Sequence, residues 1–429
     1  MNSFDGFREN EALIILCIEV ALVMLGIGMV SPVLPQYART FGVSITMVGL
    51  LITVFGMARI IVDIPAGELT NRLGRRPVLI IGPVIQAISS IGCGLAVDYW
   101  MLLCFRFLQG IGSAMYTTAA FVMLADISTP TNRGRFMSYY QGSLLLGTGL
   151  GPTLGGFVAQ YFGLAAPFFV YAFLVFFAGL WAYLRLPETR PRLTAPAAKP
   201  AAYASGPPST TPPGQVRALL WNVDFILIST VSFGVFFTRQ GALNEILPLL
   251  GTDDLGLREG QIGLALTFVA IFQFVTVFPS GRLADRFGRK VVISPGCLVA
   301  ALSLVLMAQS QSYWFLLFSC LVMGVGIGLS GPTPSAYVAD ITPRESCGAA
   351  MGTYRAISDL GFVVGPIVLG WLADTEGLRF SLFFNSVFLF LIVLIFHLRA
   401  KEPTRQYNSI VVRLTWAKGG CDSMSVSLQ

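Results

Sequence analysis

The clearest chemical signal in the sequence is a set of charged residues inside long apolar stretches. Glu19 is the plainest case, since no basic residue lies within one helical turn of it. A carboxylate that loses its water is destabilised relative to its neutral form, so a carboxyl in such a place can take up and release a proton reversibly. Glu19 is therefore a candidate proton carrier, and a purely structural acid is the alternative.

Two pairs of opposite charge follow a helical spacing. Arg59 and Asp63 are four residues apart, as are Arg355 and Asp359, so each pair can neutralise itself on one helix face. The two acids could instead exchange partners with Arg106, an arginine in another apolar stretch, which would make all five residues part of proton coupling. Both interpretations stay open.

A polar cluster of Arg239, Asn244 and Glu245 stands in an apolar run that Gly241 and Pro248 interrupt. Interrupted membrane helices of this kind line binding cavities. We expect these three residues to contact a substrate. Further candidates for substrate contact are Glu19, Gln109 and Gln141.

Sequence features of enzymes and metal sites are missing. The sequence holds one histidine and seven scattered cysteines without a CxxC pair, from which no metal site is expected. It has no Ser elbow motif and no phosphate-binding loop. We expect neither catalysis nor a cofactor.

The elements that must position the charged residues are membrane helices. Of 429 residues, 55% are hydrophobic and only 12% are charged, too few charges for an ordinary soluble protein. Twelve apolar runs are each about 20 residues or longer, enough to cross a bilayer as helix, among them 12 to 38, 219 to 250 and 312 to 340. The sequence predicts an all-α membrane protein with twelve transmembrane helices.

Lys and Arg are concentrated in every second loop, which places those loops and both termini in the cytoplasm. The net charge of +6 follows from this topology, and no nucleic-acid partner is expected.

An internal repeat divides the chain. At an offset of 214 residues GELTNRLGRR (67–76) aligns with GRLADRFGRK (281–290), and Gly151-Pro152 aligns with Gly365-Pro366. The predicted organisation is a cytoplasmic N-terminus (1–11), a six-helix half (12–186), a Pro- and Ala-rich cytoplasmic linker (187–218), a second six-helix half (219–399) and a cytoplasmic tail (400–429).

Three motifs carry a family resemblance. They are the repeated loop motif, the stretch RFLQGIGSA from Arg106, and GTGLGPTLGG from Gly147. With them the chain resembles the major facilitator superfamily, within it the twelve-span drug:proton antiporter branch.

The resemblance implies roles for the motif residues. It associates Arg106 with proton coupling, an acid in the first span with proton and cation recognition, and the GxxxGPxxGG signature with export. Asn71 departs from the family, which usually has Asp there, whereas Asp285 keeps it. The residues expected to serve conformational change are Gly67, Asn71, Arg72, Gly74, Arg75, Arg76, Gly147, Gly151, Pro152, Gly155, Gly156, Gly281, Asp285, Arg286, Gly288 and Arg289.

The predicted function is export of small amphipathic compounds such as drugs, driven by a proton gradient and working by alternating access, by a monomer in the cell membrane. An uptake carrier for a sugar or other metabolite and a non-transporting receptor or scaffold are the alternatives.

Overall fold

Apolar helices make up nearly all of the chain that the structure, a computed structural model, describes: residues 3–129, 132–186, 188–189, 222–342 and 346–402. The first half contains α1 (Ser3–Val30), α2 (Leu34–Arg39), α3 (Ile45–Leu73), α4 (Arg75–Gly94), α5 (Tyr99–Ile127), α6 (Arg133–Phe162) and α7 (Ala166–Arg185).

The second half repeats this order. It contains α8 (Val223–Phe237), which continues through the π-helical segments Thr238–Ile246 and Leu250–Asp254, then α9 (Glu259–Phe287), α10 (Arg289–Ala308), α11 (Tyr313–Ser330), α12 (Thr333–Ile341), α13 (Cys347–Glu376) and α14 (Leu378–Arg399). Within the described residues, twelve segments are long and apolar enough to cross a membrane, as the sequence predicts. Most of the predicted linker and tail lies outside the described residues.

Three of the predicted spans are less regular than the sequence suggests. The first breaks after Val30 and resumes as α2, and the tenth breaks between α11 and α12, just before Pro332 and Pro334. The seventh widens into a π-helix around Gly241 and Pro248, where proline removes a backbone donor. Apolar length alone does not reveal such breaks, because they leave the hydropathy unchanged.

Close helix packing within each half depends on small residues of α6 and α13. Gly147, Gly151 and Gly155 lie so close to the backbone of α1 that a Cβ at any of them would overlap it. At the repeat offset, Gly361 and Gly365 press in the same way on the backbone of α8. The GxxxGPxxGG signature therefore brings two helices into backbone contact in the first half, and its repeat does so in the second.

The two halves meet along two seams. In one seam α6 packs on α9, with Gly156 against Glu259 and Pro152 against Gly263. Thr153 Oγ1 donates to Thr267 Oγ1 there at 2.7 Å. These contacts between α6 and α9 involve only neutral groups.

In the other seam α3 packs on α13, and its outer end is charged. Asp374 accepts hydrogen bonds from the backbone N–H groups of Ile45 and Thr46, both at 2.8 Å, and from Thr46 Oγ1 at 2.6 Å. Deeper in the seam, Thr53 Oγ1 donates to the carbonyl of Val363 at 2.6 Å. The carboxylate thus meets the positive end of the α3 dipole across the boundary between the halves.

Hydrogen bonds and ion pairs join the two halves from the middle of the spans to the outer face. They include the Arg39–Asp253 ion pair (3.9 Å) and the Ser31–Asn244 hydrogen bond (2.8 Å). These contacts close the structure on the outer side, whereas the Arg355 side chain, nearer the cytoplasmic end of the α3–α13 seam, is 57% exposed.

The repeated loop motif forms a clasp inside each half. Arg75 pairs with Asp126 at 2.7 Å, and Glu188 accepts from the backbone N–H of Arg75 at 2.9 Å and of Arg76 at 3.1 Å. Gly74 between α3 and α4 has φ +109°, which favours glycine. In this conformation the described clasp contacts stay within the first half.

The second clasp uses the residues at the repeat positions. Arg289 pairs with Asp340 at 3.1 Å and with Asp285 at 3.0 Å, and Glu402 accepts from the backbone N–H of Lys290 at 3.0 Å. Gly288 has φ +106°. Asp285 therefore adds an ion pair within the second clasp, whereas Asn71 is an exposed amide.

The remaining motif residues lie around these clasps. Arg72 pairs with Glu68, Arg76 stacks on Tyr183, and Arg286 stacks on Phe287. Gly67 faces Thr118 of α5, whereas no described atom would lie within 4 Å of a Cβ on Gly281.

Replacing Arg75 by Gln should lower the stability of the first half. The side chain of Arg75 is only 10% exposed, and its ion pair with Asp126 would be lost. A hydrogen bond to a charged group is worth about 1.5–3 kcal/mol, so we expect a clear drop in the thermal unfolding midpoint of the purified protein. The matched control is Arg72→Gln, since the Arg72–Glu68 pair is exposed and is worth roughly 0–1 kcal/mol. Equal midpoints for the two variants would contradict the prediction.

Replacing Asp374 by Ala should favour opening of the outer face. The variant loses three hydrogen bonds to the α3 terminus. We therefore expect the fraction of molecules that are open on the outer side to rise about tenfold or more. Spin labels at exposed outer positions Val97 and Trp314, in a cysteine-free background, report the distance between halves. Gln160→Ala is the control, since Gln160 occupies the repeat position in the neutral seam. An unchanged distribution of distances between the two spin labels in Asp374→Ala would contradict the prediction.

Candidate functional site

Glu19 lies in a buried polar pocket of the first half. The residue is 2% exposed, and neither carboxyl oxygen has a hydrogen-bond partner among the described residues. Tyr116 and Tyr140 are close enough to interact electrostatically with Glu19, and their hydroxyls are buried and unpartnered as well. A charged carboxylate is poorly tolerated in this place, so the geometry favours the neutral acid.

Arg106 lies elsewhere in the first half, on α5. Its Nη1 donates to Gln109 Oε1 at 2.5 Å, and Gln109 Nε2 donates to Ser90 Oγ at 2.7 Å. The guanidinium stacks on Phe55, 4.6 Å from the ring centroid. No carboxylate of the described chain lies within 4 Å of Arg106, so in this conformation it is held by an amide and an aromatic ring rather than by Asp63 or Asp359.

The two predicted charge pairs meet across the seam between α3 and α13. Arg355 lies 3.9 Å from Asp359, whereas Arg59 and Asp63 make no ion pair within 4 Å. Arg59 instead interacts electrostatically with Asp359 as well as Asp63, and Asp63 with Arg355 as well as Arg59. The four side chains form one group shared by both halves, an arrangement that helical spacing on a single helix does not predict.

The first π-helical segment carries Arg239, Gln240 and Asn244 on one face. A residue and the fourth or fifth after it share a face of a π-helix. Asn244 Nδ2 donates to Gln240 Oε1 at 2.5 Å, and Asn244 Oδ1 accepts from Ser31 Oγ of α1's outer end at 2.8 Å. This face therefore looks toward the first half.

Glu245 points from the same segment into the outer seam. The residue is fully buried, and neither carboxyl oxygen has a hydrogen-bond partner in the described structure. A Cβ on Gly49 of α3 would lie 2.7 Å from Glu245 Oε1, and one on Gly370 of α13 would lie 2.9 Å from it. The closed seam thus encloses Glu245 in this conformation, and its role as a substrate contact stays a prediction.

The predicted site residues are therefore spread over several places. Gln109 is fully buried and used by Arg106 and Ser90, and Gln141 is exposed on α6. Their roles as substrate contacts stay predictions. The described residues contain no group of three or more His, Cys, Asp or Glu side chains that could hold a metal ion.

Sequence reasoning missed four residues that the structure brings into the site or its closure: Tyr116, Tyr140, Ser31 and Asp374. For Tyr140, comparison with the equivalent position in the second half indicates why its hydroxyl is free to face Glu19. Its repeat partner Tyr354 hydrogen-bonds Ser232 at 2.6 Å, but Ile18 stands at the position equivalent to Ser232. The hydroxyl of Tyr140 is consequently left beside Glu19 without that partner.

Comparisons with known proteins agree with this architecture. The chain is 27% identical over 385 residues to multidrug resistance protein 1 of Bacillus subtilis, covering 89% of this chain and 94% of the relative. It is 24% identical over 374 residues to the quinolone resistance protein NorA of Staphylococcus aureus (strain Mu50), covering 86% and 91%.

Among solved structures, a bacterial homologue of the human lysosomal transporter Spinster in an inward-facing, occupied conformation matches with a TM-score of 0.76 at 17% identity, covering 90% of this chain and 95% of that one. The sequence profile of the Major Facilitator Superfamily matches residues 16–258 and 226–418. With two six-helix repeats and matches across both, the chain belongs to the Major Facilitator Superfamily and is an integral, multi-pass transporter of the cell membrane.

Proposed function

We propose that this transporter exports small amphipathic organic compounds in exchange for protons, by alternating access and as a monomer, with the proton gradient as its only energy source. The observation that carries the proposal is Glu19, a buried carboxyl without a hydrogen-bond partner among the described residues. Such a group is stable only when protonated or when the pocket opens to water or a cation. Its proton occupancy therefore depends on the conformation.

The relatives support the direction of transport. Two drug-resistance proteins match across 86% or more of the chain, and the GxxxGPxxGG signature supplies both the α1–α6 contact and the α6–α9 seam. The motif thus connects the packed α1–α6 pair to the α6–α9 seam between the halves. Such a connection is expected in a protein whose halves rock against each other.

Inside-out vesicles test the direction of exchange. With an acidic interior, we expect a fluorescent amphiphile to accumulate inside and the interior pH to rise as protons leave. Collapse of the gradient with a protonophore should abolish both signals. Movement of substrate and protons in the same direction would identify an uptake carrier, and no flux with retained binding would identify a receptor or scaffold. Either result refutes the proposal.

Glu19→Gln should abolish proton-driven accumulation because glutamine cannot exchange a proton. Substrate-for-substrate exchange, which needs no proton, should persist and shows that the variant is folded. Glu11→Gln is the matched control, since Glu11 lies on the same helix but pairs with Arg185 at 3.6 Å at the cytoplasmic end. Proton-driven accumulation by Glu19→Gln at the wild-type rate would rule out Glu19 as the coupled carboxyl.

A further inference from the structure

The charges within the spans do not all find partners. Four acids (Glu19, Asp63, Glu245 and Asp359) and four arginines (Arg59, Arg106, Arg239 and Arg355) stand in the interiors of the described spans. The group across the α3–α13 seam accounts for two of each. Glu19 and Glu245 are enclosed without a cation, which leaves Arg106 and Arg239 as guanidinium groups without a carboxylate.

Arg239 is the less satisfied of these two. Arg106 has Gln109 and the ring of Phe55, whereas Arg239 makes no hydrogen bond or ion pair with any described residue. The nearest acid in sequence, Glu245, points into the outer seam between Gly49 and Gly370. An arginine at this depth needs water or an anion, because its charge is costly in hydrocarbon.

The faces of the π-helical segment show where Arg239 points. Gly241 packs on Gly365 and Leu369 of α13, and Thr238 Oγ1 donates to Asn385 of α14 at 3.1 Å. These two helices cover the sides away from Asn244. Arg239 shares the face of Asn244, which reaches Ser31 of the first half.

Arg239 is partly exposed. Because α13 and α14 cover the other sides of the segment and the face of Asn244 is turned toward the first half, the exposed part of the guanidinium lies between the halves. It lies on the cytoplasmic side of the Ser31–Asn244 contact, which closes the cavity toward the outer face. A molecule that enters from the cytoplasm can therefore reach it.

We propose that Arg239 binds an anionic group of the transported compound, so that the substrate is an amphiphile carrying a carboxylate or a similar anion. The inference rests on the proposed function, because the cavity is taken as the substrate's path. The planar guanidinium offers paired donors that match a carboxylate, and the apolar remainder of the molecule would occupy the cavity between the halves.

A matched set of ligands tests the charge requirement. Dansyl-aminoundecanoate, its methyl ester and the trimethylammonium analogue share one apolar chain and differ in the charge of the head group. Their binding to the protein in nanodiscs is measured by dansyl fluorescence at fixed ionic strength, with empty nanodiscs subtracted. We expect the carboxylate to bind at least about tenfold more tightly than the ester, the range of a hydrogen bond to a charged group.

Arg239→Gln should remove this carboxylate preference, so that the carboxylate binds no more tightly than the ester; an unchanged thermal unfolding midpoint shows that the variant is folded. Arg239→Lys should keep part of the preference, because lysine retains the charge without the planar fork. Arg135→Gln, at an exposed arginine that stacks on Tyr139 near the cytoplasmic end of α6, is the control and should behave as wild type.

Two results would overturn the inference: an unchanged carboxylate-to-ester ratio in Arg239→Gln, or wild-type preference for the ester or the trimethylammonium compound. Proton-driven accumulation of the fluorescent amphiphile by the wild-type protein in inside-out vesicles reports on export separately. Absence of that accumulation with a retained, Arg239-dependent carboxylate preference would refute the exporter proposal and leave the anion site standing.

Discussion

The cost of a bare charge in the membrane interior is the constraint on which the rest of this structure depends. A charged side chain there must be paired, hydrated, held by polar groups or neutralised by a proton. The protein uses several of these solutions. Arg59, Asp63, Arg355 and Asp359 share their charges across a seam, and Arg106 is held by an amide and a ring. Glu19 has no such partner in the described structure, so its protonation is tied to the conformation of the helices around it.

The frame that carries these charges is built from neutral contacts. Glycines of α6 and α13 bring helix backbones together within each half and also reach across to α9 and α3. Because these contacts are short and neutral, they can separate without leaving unpaired charges. The charged contacts between the halves are the Arg39–Asp253 ion pair, the group of four charged side chains across the α3–α13 seam, and Asp374, which caps α3 from the opposite half. The two seams are therefore equivalent in backbone geometry but differ in electrostatics.

Much of this architecture could be predicted from the sequence, because lipid imposes long apolar helices and duplication repeats them at a constant offset. Glu19 and the arginines could be recognised because a charged side chain in an apolar run is unfavourable in free energy unless it has a function or a partner. Contacts between helices could not be predicted in the same way. The Asp374 cap joins residues 328 and 329 positions apart, and the exposed end of a helix gives no local sign of the partner it meets.

The π-helical segment shows a second limit. Gly241 and Pro248 indicated an interruption of the seventh span, but the direction of each side chain depends on how many residues the widened turn contains. With π geometry, Arg239 and Asn244 share the face toward the first half, while Glu245 turns into the seam. Periodicity measured on an ordinary helix would place these residues differently.

The two proposals together restrict the substrate further. An anion at Arg239 and a proton at Glu19 do not repel each other, since protonation removes a negative charge from the same interior. Binding of an anion alone would therefore favour protonation and movement of both in one direction. Exchange requires the substrate to displace the proton, which a cationic group near Glu19 does directly, because it favours the ionised carboxylate. An exported compound that satisfies both residues thus carries opposite charges on an apolar body.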